Sequence, residues 1–63
     1  MRRRTGIYFF PDGSHEMLSC IVTGEMSDGR KVWTECDRNK EPINTDRQYF
    51  LQTRGNYTEF VRI

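Results

Sequence analysis

Apolar and polar residues alternate along this chain in short runs, and two Asp-Gly turns interrupt them. Residues 7–10 precede Pro11-Asp12-Gly13, and residues 15–22 follow it. Residues 18–25 precede Ser27-Asp28-Gly29, and residues 31–36 follow it. A three-residue hairpin loop is a type I turn followed by a residue in the left-handed region, a place that Gly fills without a Cβ clash. Pro11 has its φ already set for the first turn position. The pattern predicts two consecutive hairpins, hence three antiparallel strands, with no helix before residue 37.

Loop length also predicts the register. With residues 27–29 as the loop, Met26 faces Arg30, and an uninterrupted ladder then sets Val22 against Thr34 and Cys20 against Cys36. Leu18, Cys20, Val22, Val32, Thr34 and Cys36 share one small apolar face in that ladder. Ser19, Thr23, Glu25, Lys31 and Glu35 share the other, together with Ile21 and Trp33. Around residues 11–13 the same logic groups Tyr8 and Phe10 with Leu18, and groups Ile7, Phe9 and Met17 with Ile21 and Trp33. Both faces therefore carry apolar residues. One is covered by the rest of the chain, the other by closure into a barrel or by a partner.

Residues 37–46 are polar, contain Pro42, and read as a loop. Beyond them, Gly55-Asn56 has the form of a two-residue hairpin turn, which pairs Leu51 with Phe60. A short helix near residues 46–54 competes with this reading, because Thr45 and Gln48 have capping-box spacing and Gly55 suits a helix end. Tyr49, Phe50 and Leu51 are consecutive, however, and do not form a stripe at 3.6 residues per turn. The favoured reading is mostly β: a small antiparallel sheet or a partly open five-stranded barrel of SH3-like or OB-like character.

Sixty-three residues allow one domain, residues 1–63, with 1–4 as a flexible basic arm. A core of this size supplies no more than about 3–5 kcal/mol of net stability and leaves little room for a walled pocket. That weighs against an enzyme. Net charge is +1, from ten basic and nine acidic residues, so bulk charge does not announce a nucleic-acid partner. Eight of the ten basic residues are Arg, the cation enriched at protein interfaces. The longest apolar run, residues 7–10, is far too short to cross a membrane, and no apolar stretch of signal-peptide length follows Arg2, Arg3 and Arg4. The expected location is cytoplasmic, of a cell or an infected host, with reduced cysteines and no membrane contact.

Candidate chemistry is sparse. Cys20 and Cys36 lack a paired Cys-x-x-Cys knuckle, and only His15 could join them, so no metal and no cofactor is expected. If they face each other they have disulfide spacing, but two small buried thiols fit a reducing compartment better. His15 has Ser14 and Glu16 as neighbours, and adjacent strand residues point to opposite faces, so no catalytic set forms. Trp33 lies at the centre of the more polar face, and Trp is prominent among binding hot spots.

The sequence thus points to a non-catalytic protein-binding module, of the kind that phages and mobile elements encode as inhibitors or adaptors of a host protein. Its expected contact residues are Trp33, Ile21, Lys31, Glu35 and Arg30. The alternative is a small-barrel nucleic-acid binder in which Arg2, Arg3, Arg4, Arg54 and Arg62 meet phosphates and Trp33, Tyr57 or Tyr49 stack on bases.

Overall fold

The computed structural model describes residues 2–63, and among them it contains five strands and no helix. These are β1 (Arg4–Phe9), β2 (His15–Glu25), β3 (Lys31–Glu35), β4 (Tyr49–Arg54) and β5 (Tyr57–Arg62). Neighbours in sequence pair antiparallel, so β1 and β5 run the same way. The ring closes through a parallel pair, Ile7↔Glu59. Four antiparallel steps leave the first and fifth strands parallel, so a five-stranded ring of this order closes on one such seam. Its slanted hydrogen bonds are slightly weaker than those of an antiparallel ladder. The β3–β4 seam is equally narrow, with the single pair Trp33↔Tyr49. The barrel is therefore small and partly open.

Both Asp-Gly loops form as the sequence indicates. Phe10 N–H donates to the Ser14 carbonyl and Gly13 N–H to the Phe10 carbonyl; Met26 N–H donates to Arg30 and Gly29 N–H to Met26. Gly13 and Gly29 have φ of 94° and 93°. Asp12 accepts hydrogen bonds from the Ser14 backbone and hydroxyl, and Asp28 accepts from the Arg30 backbone, which locks each turn. The β4–β5 hairpin turns at Gly55-Asn56 and pairs Leu51 with Phe60. The helical alternative for residues 46–54 does not form: residues 49–54 are strand, because Tyr49 and Leu51 both face the core.

A third turn repeats the pattern without a glycine. Asp37 N–H donates to Glu41, and Lys40 N–H donates to Asp37. Lys40 sits at φ 64°, the place Gly13 and Gly29 hold in the other loops. A non-glycine residue there costs about 1–2 kcal/mol, part of which glycine's extra unfolded-state freedom offsets. Lys40→Gly is therefore expected to raise stability by about 0.5–1 kcal/mol, read from urea melts; unchanged or lower stability would contradict the shared loop geometry. This small loop turns the chain back so that Cys36 bridges Pro42 and Ile43 N–H reaches the Glu35 carbonyl. It thereby brings Glu41 and Pro42 beside Ile21 and Val22.

The register between β2 and β3 departs from the uninterrupted ladder. Glu25 pairs with Lys31 and Gly24 with Val32, but Val22 pairs with Trp33, leaving Thr23 as an extra residue in a β-bulge. Its hydroxyl lies 2.7 Å from that of Thr34. A bulge adds one residue to one strand only, so every β2 side chain before it changes sides relative to β3. Cys20 consequently pairs with Glu35, not Cys36, and Ile21 pairs with Thr34.

Two buried layers result. Leu18, Cys20, Trp33, Tyr49 and Phe60 fill the barrel, with Tyr8, Val22 and Leu51 packed against them. The rings of Trp33, Phe60, Tyr49 and Tyr8 run through it in successive edge or tilted contacts, with centroids 5.9, 6.1 and 5.4 Å apart. Ile21, Val32, Thr34 and Cys36 are buried on the other side of the β2–β3 ribbon, the side that the residue 37–43 turn approaches. The expected grouping of Val32, Thr34 and Cys36 with Leu18 and Cys20 is thus corrected. Of the residues 1–4 expected as an arm, Arg4 opens β1 and pairs with Cys20. Met1 lies outside the described residues.

Candidate functional site

The first hairpin keeps its ladder unbroken, and this fixes what its outer side displays. Thr5 pairs with Ser19, Ile7 with Met17 and Phe9 with His15, all directed away from the barrel that Gly6, Tyr8 and Leu18 face. Among the described residues, none covers Met17, Phe9 or Tyr57 on this side. Met17 is 61% exposed, Phe9 43% and Tyr57, across the parallel seam, 40%. The Phe9 ring lies 5.8 Å from His15 and 6.3 Å from Tyr57. Ile7, Met17 and Tyr57 also line one shallow groove, with Arg4 and Asn56 at its edge. Beside it, Arg54 Nε and Glu59 form a 2.9 Å ion pair. The patch is apolar and aromatic at its centre, with a mixed, mostly polar border.

A second opening lies at the β3–β4 seam. Past the Trp33↔Tyr49 pair the two strands separate, and Arg30, Lys31, Trp33, Phe50 and Leu51 line the gap. The Arg30 guanidinium sits 4.3 Å from the centre of the Phe50 ring. Its Nε is also held by Asp28 at 2.7 Å, and Lys31 is held by Glu25 at 2.9 Å.

The residues expected to touch a partner divide between core, loop and cleft. Trp33 is only 8% exposed and packs on Phe60, so it is a core residue with an edge in the cleft, not the centre of a surface patch. Ile21 is 1% exposed. Both corrections follow from the Thr23 bulge. It turns Trp33 inward with Val22 and leaves Ile21 on the side that the residue 37–43 turn covers. Glu35 is half-buried and accepts a hydrogen bond from Asn44 Nδ2. Lys31 and Arg30 are exposed at the cleft. Phe9 and Met17 do lie on an open face, as the unbroken hairpin predicts. Tyr57, Phe50 and Leu51 join the two surfaces without having been singled out as protein contacts. The signal for Tyr57 was its place beside the Gly55-Asn56 turn, where strand residues alternate outward.

The basic residues do not assemble. Arg54 and Arg62 point to opposite sides of the β4–β5 hairpin, since Arg62 pairs with the inward-facing Tyr49 and Arg54 with the exposed Tyr57. Arg3 donates to the Asp37 carbonyl at the limit of hydrogen bonding, 3.4 Å. Arg2 is exposed. Tyr49 is 1% exposed and cannot stack on a base.

Cys20 and Cys36 are both buried thiols on opposite sides of the β2–β3 ribbon. Burial, with the nearby Glu35 and Cys36, pushes the Cys20 thiol from its ordinary 9.0 up to about 12. Cys36 is also raised, mainly by burial. The unfolded chain therefore loses the Cys20 proton first, and stability falls as pH rises from about 9 toward 12. Urea midpoints at about pH 8 and about pH 10 are expected to drop more for the native chain than for Cys20→Ala. An equal drop in both would remove Cys20 as the cause. Among the described residues, no group of three or more His, Cys, Asp or Glu side chains is placed to hold a metal ion, and no helix is long and apolar enough to cross a membrane.

No family model, curated protein or solved structure matches this chain.

Proposed function

We propose that this chain is a small non-catalytic protein-binding module whose partner docks on the outer face of β1 and β2. The observation that carries this reading is the contiguous exposure of Met17, Phe9 and Tyr57 beside Ile7. A 63-residue chain buries a smaller fraction of its surface than a larger domain does and needs its large apolar side chains for the core. Leaving three together on one open face is accounted for by a partner that covers them. Phe, Tyr, Met and Arg are the residue types that interfaces favour, and all four meet here. An inhibitor or adaptor role on a host protein in the cytoplasm, of the type mobile elements encode, suits a module that acts by contact alone.

Met17 is more than half exposed, so Met17→Arg leaves the core intact. It is expected to leave the melting temperature within a few degrees of the native value. It should also weaken binding to a partner recovered from host extract at least tenfold, or about 1.4 kcal/mol, measured by titration calorimetry. Undiminished binding by the variant would remove this face as the docking site.

The exposed rings of Phe9, His15 and Tyr57, the last in one groove with Arg4, also support a second reading, stacking on single-stranded nucleic acid. The scattered arginines and the burial of Trp33 and Tyr49 weigh against it. If it holds, binding to a single-stranded oligonucleotide falls steeply with salt, with a log–log slope of about 0.7 per phosphate contact. Absence of binding at low salt disposes of it.

A further inference from the structure

The narrow β3–β4 seam leaves backbone groups without a strand partner, and hydrogen-bond parity identifies them. Ile63 N–H donates to the Gln48 carbonyl. Along β4, therefore, Phe50, Gln52 and Arg54 direct their N–H and C=O groups toward β5, and Tyr49, Leu51 and Thr53 direct theirs toward β3. On the other side, Met26 N–H donates to Arg30, so Arg30 and Val32 face β2, and Lys31 and Trp33 face β4. Ile43 N–H, bound to the Glu35 carbonyl, continues the same parity along β3. Trp33 and Tyr49 satisfy each other as the one paired position of the seam. The N–H and C=O groups of Lys31, Leu51 and Thr53 are left aimed into the opening.

The floor beneath these groups is apolar, formed by the edge of Trp33, Leu51 and Phe50. Its volume, about 210 Å³, is below the roughly 300–1,000 Å³ of ordinary small-molecule pockets. The two cations at its rim are already held by Asp28 and Glu25. The opening thus offers main-chain hydrogen bonds and an apolar seat with no net charge to attract a polyanion. An uncharged extended strand complements it.

We propose that the β3–β4 opening receives an extended segment of a partner protein, which adds as a strand along β4 and seats one apolar side chain over Trp33 and Leu51. The inference rests on the protein-binding reading but places the contact on a different surface from the β1–β2 face. Main-chain bonds to Leu51 and Thr53 give the affinity, and the seat gives the side-chain preference, as in other cases of strand addition.

The test uses the full chain and peptides selected against it from a random peptide library. In the free chain, the amides of Lys31, Leu51 and Thr53 exchange with solvent faster than those of Trp33, Phe50 and Gln52. A selected peptide slows exchange at Leu51 and Thr53 at least tenfold. Thr53→Pro removes a donor that faces the opening and no β4–β5 bond. It therefore weakens the peptide at least tenfold, and Thr53→Ala does not. N-methylation of alternate backbone nitrogens of the peptide must also abolish binding, a readout that does not depend on how Thr53→Pro folds. Met17→Arg leaves peptide binding unchanged, which separates this site from the β1–β2 face. The proposal is overturned if no peptide binds, or if bound peptides leave Leu51 and Thr53 exchange unaltered. It is also overturned if those amides become protected as the chain concentration rises, since a second copy would then be the occupant.

Discussion

Trp33→Ala is expected to unfold the isolated chain. The indole packs on Phe60, which has no exposed surface, and Trp33 supplies the single pair that joins β3 to β4. Emptying a buried aromatic site costs about 3–5 kcal/mol. A domain of this size has about the same amount to lose. The bulge at Thr23 holds Trp33 inward, so the side chain cannot turn to solvent without breaking the β2–β3 ladder. Near-UV circular dichroism and a urea melt of the variant provide the measurement. A variant that melts cooperatively within about 1.5 kcal/mol of the native chain would return Trp33 to the surface and sink the bulged register. Trp33→Phe, which keeps a ring against Phe60, should retain most of the stability.

Gly6→Val carries the second large effect, at a position with no side chain to lose. Gly6 faces the barrel opposite Leu18, where the Phe60 ring fills the space a side chain would occupy. A Cβ there would come within 2.8 and 2.9 Å of two Phe60 ring carbons and 3.1 Å of the Thr58 methyl. Phe60 is wedged between Trp33 and Tyr49 and has nowhere to retreat. Overpacking of a well-filled core costs about 1–3 kcal/mol and sometimes more, and a β-branched side chain at a ring contact belongs at the upper end, about 3 kcal/mol. The milder Gly6→Ala tests the cause: combined with Phe60→Leu, it should destabilise by at least about 1 kcal/mol less than the sum of the two single changes. Simple additivity would show that Gly6 is not limited by that ring.

The candidate site was legible in the sequence only where the ladder runs without interruption. Phe9 and Met17 were placed outward correctly because the Pro11-Asp12-Gly13 loop sets the register of all six pairs behind it. Trp33 and Ile21 do not share a face, since Thr23 adds one residue between Ile21 and the loop and so shifts that part of β2 by one against Trp33. A bulge has no obligatory residue type, and Thr23-Gly24 reads as ordinary strand until the packing is known. Leu51 and Thr53 showed no sign of a binding role, because an unpaired edge is a property of two strands and not of either one.

The hairpins follow from local chain preferences. Asp-Gly at two loops and Gly55-Asn56 at a third are local backbone preferences, fixed by φ and by hydrogen bonds spanning a few residues. Turns joining short alternating runs also set the number of strands, their order, and the mostly β class. Which face of each strand lies inside was settled only by packing. That choice depended on closing five strands into a ring around Phe60 and Trp33, with Gly6 leaving room for the ring. Packing also set Lys40 into a turn that its own preferences disfavour, because the return of residues 41–43 to the end of β3 covers Ile21 and offsets the strain. Local rules act through neighbours in sequence. The bulge, the two narrow seams and the uncovered faces arise from residues far apart in the chain, and only packing brings them together.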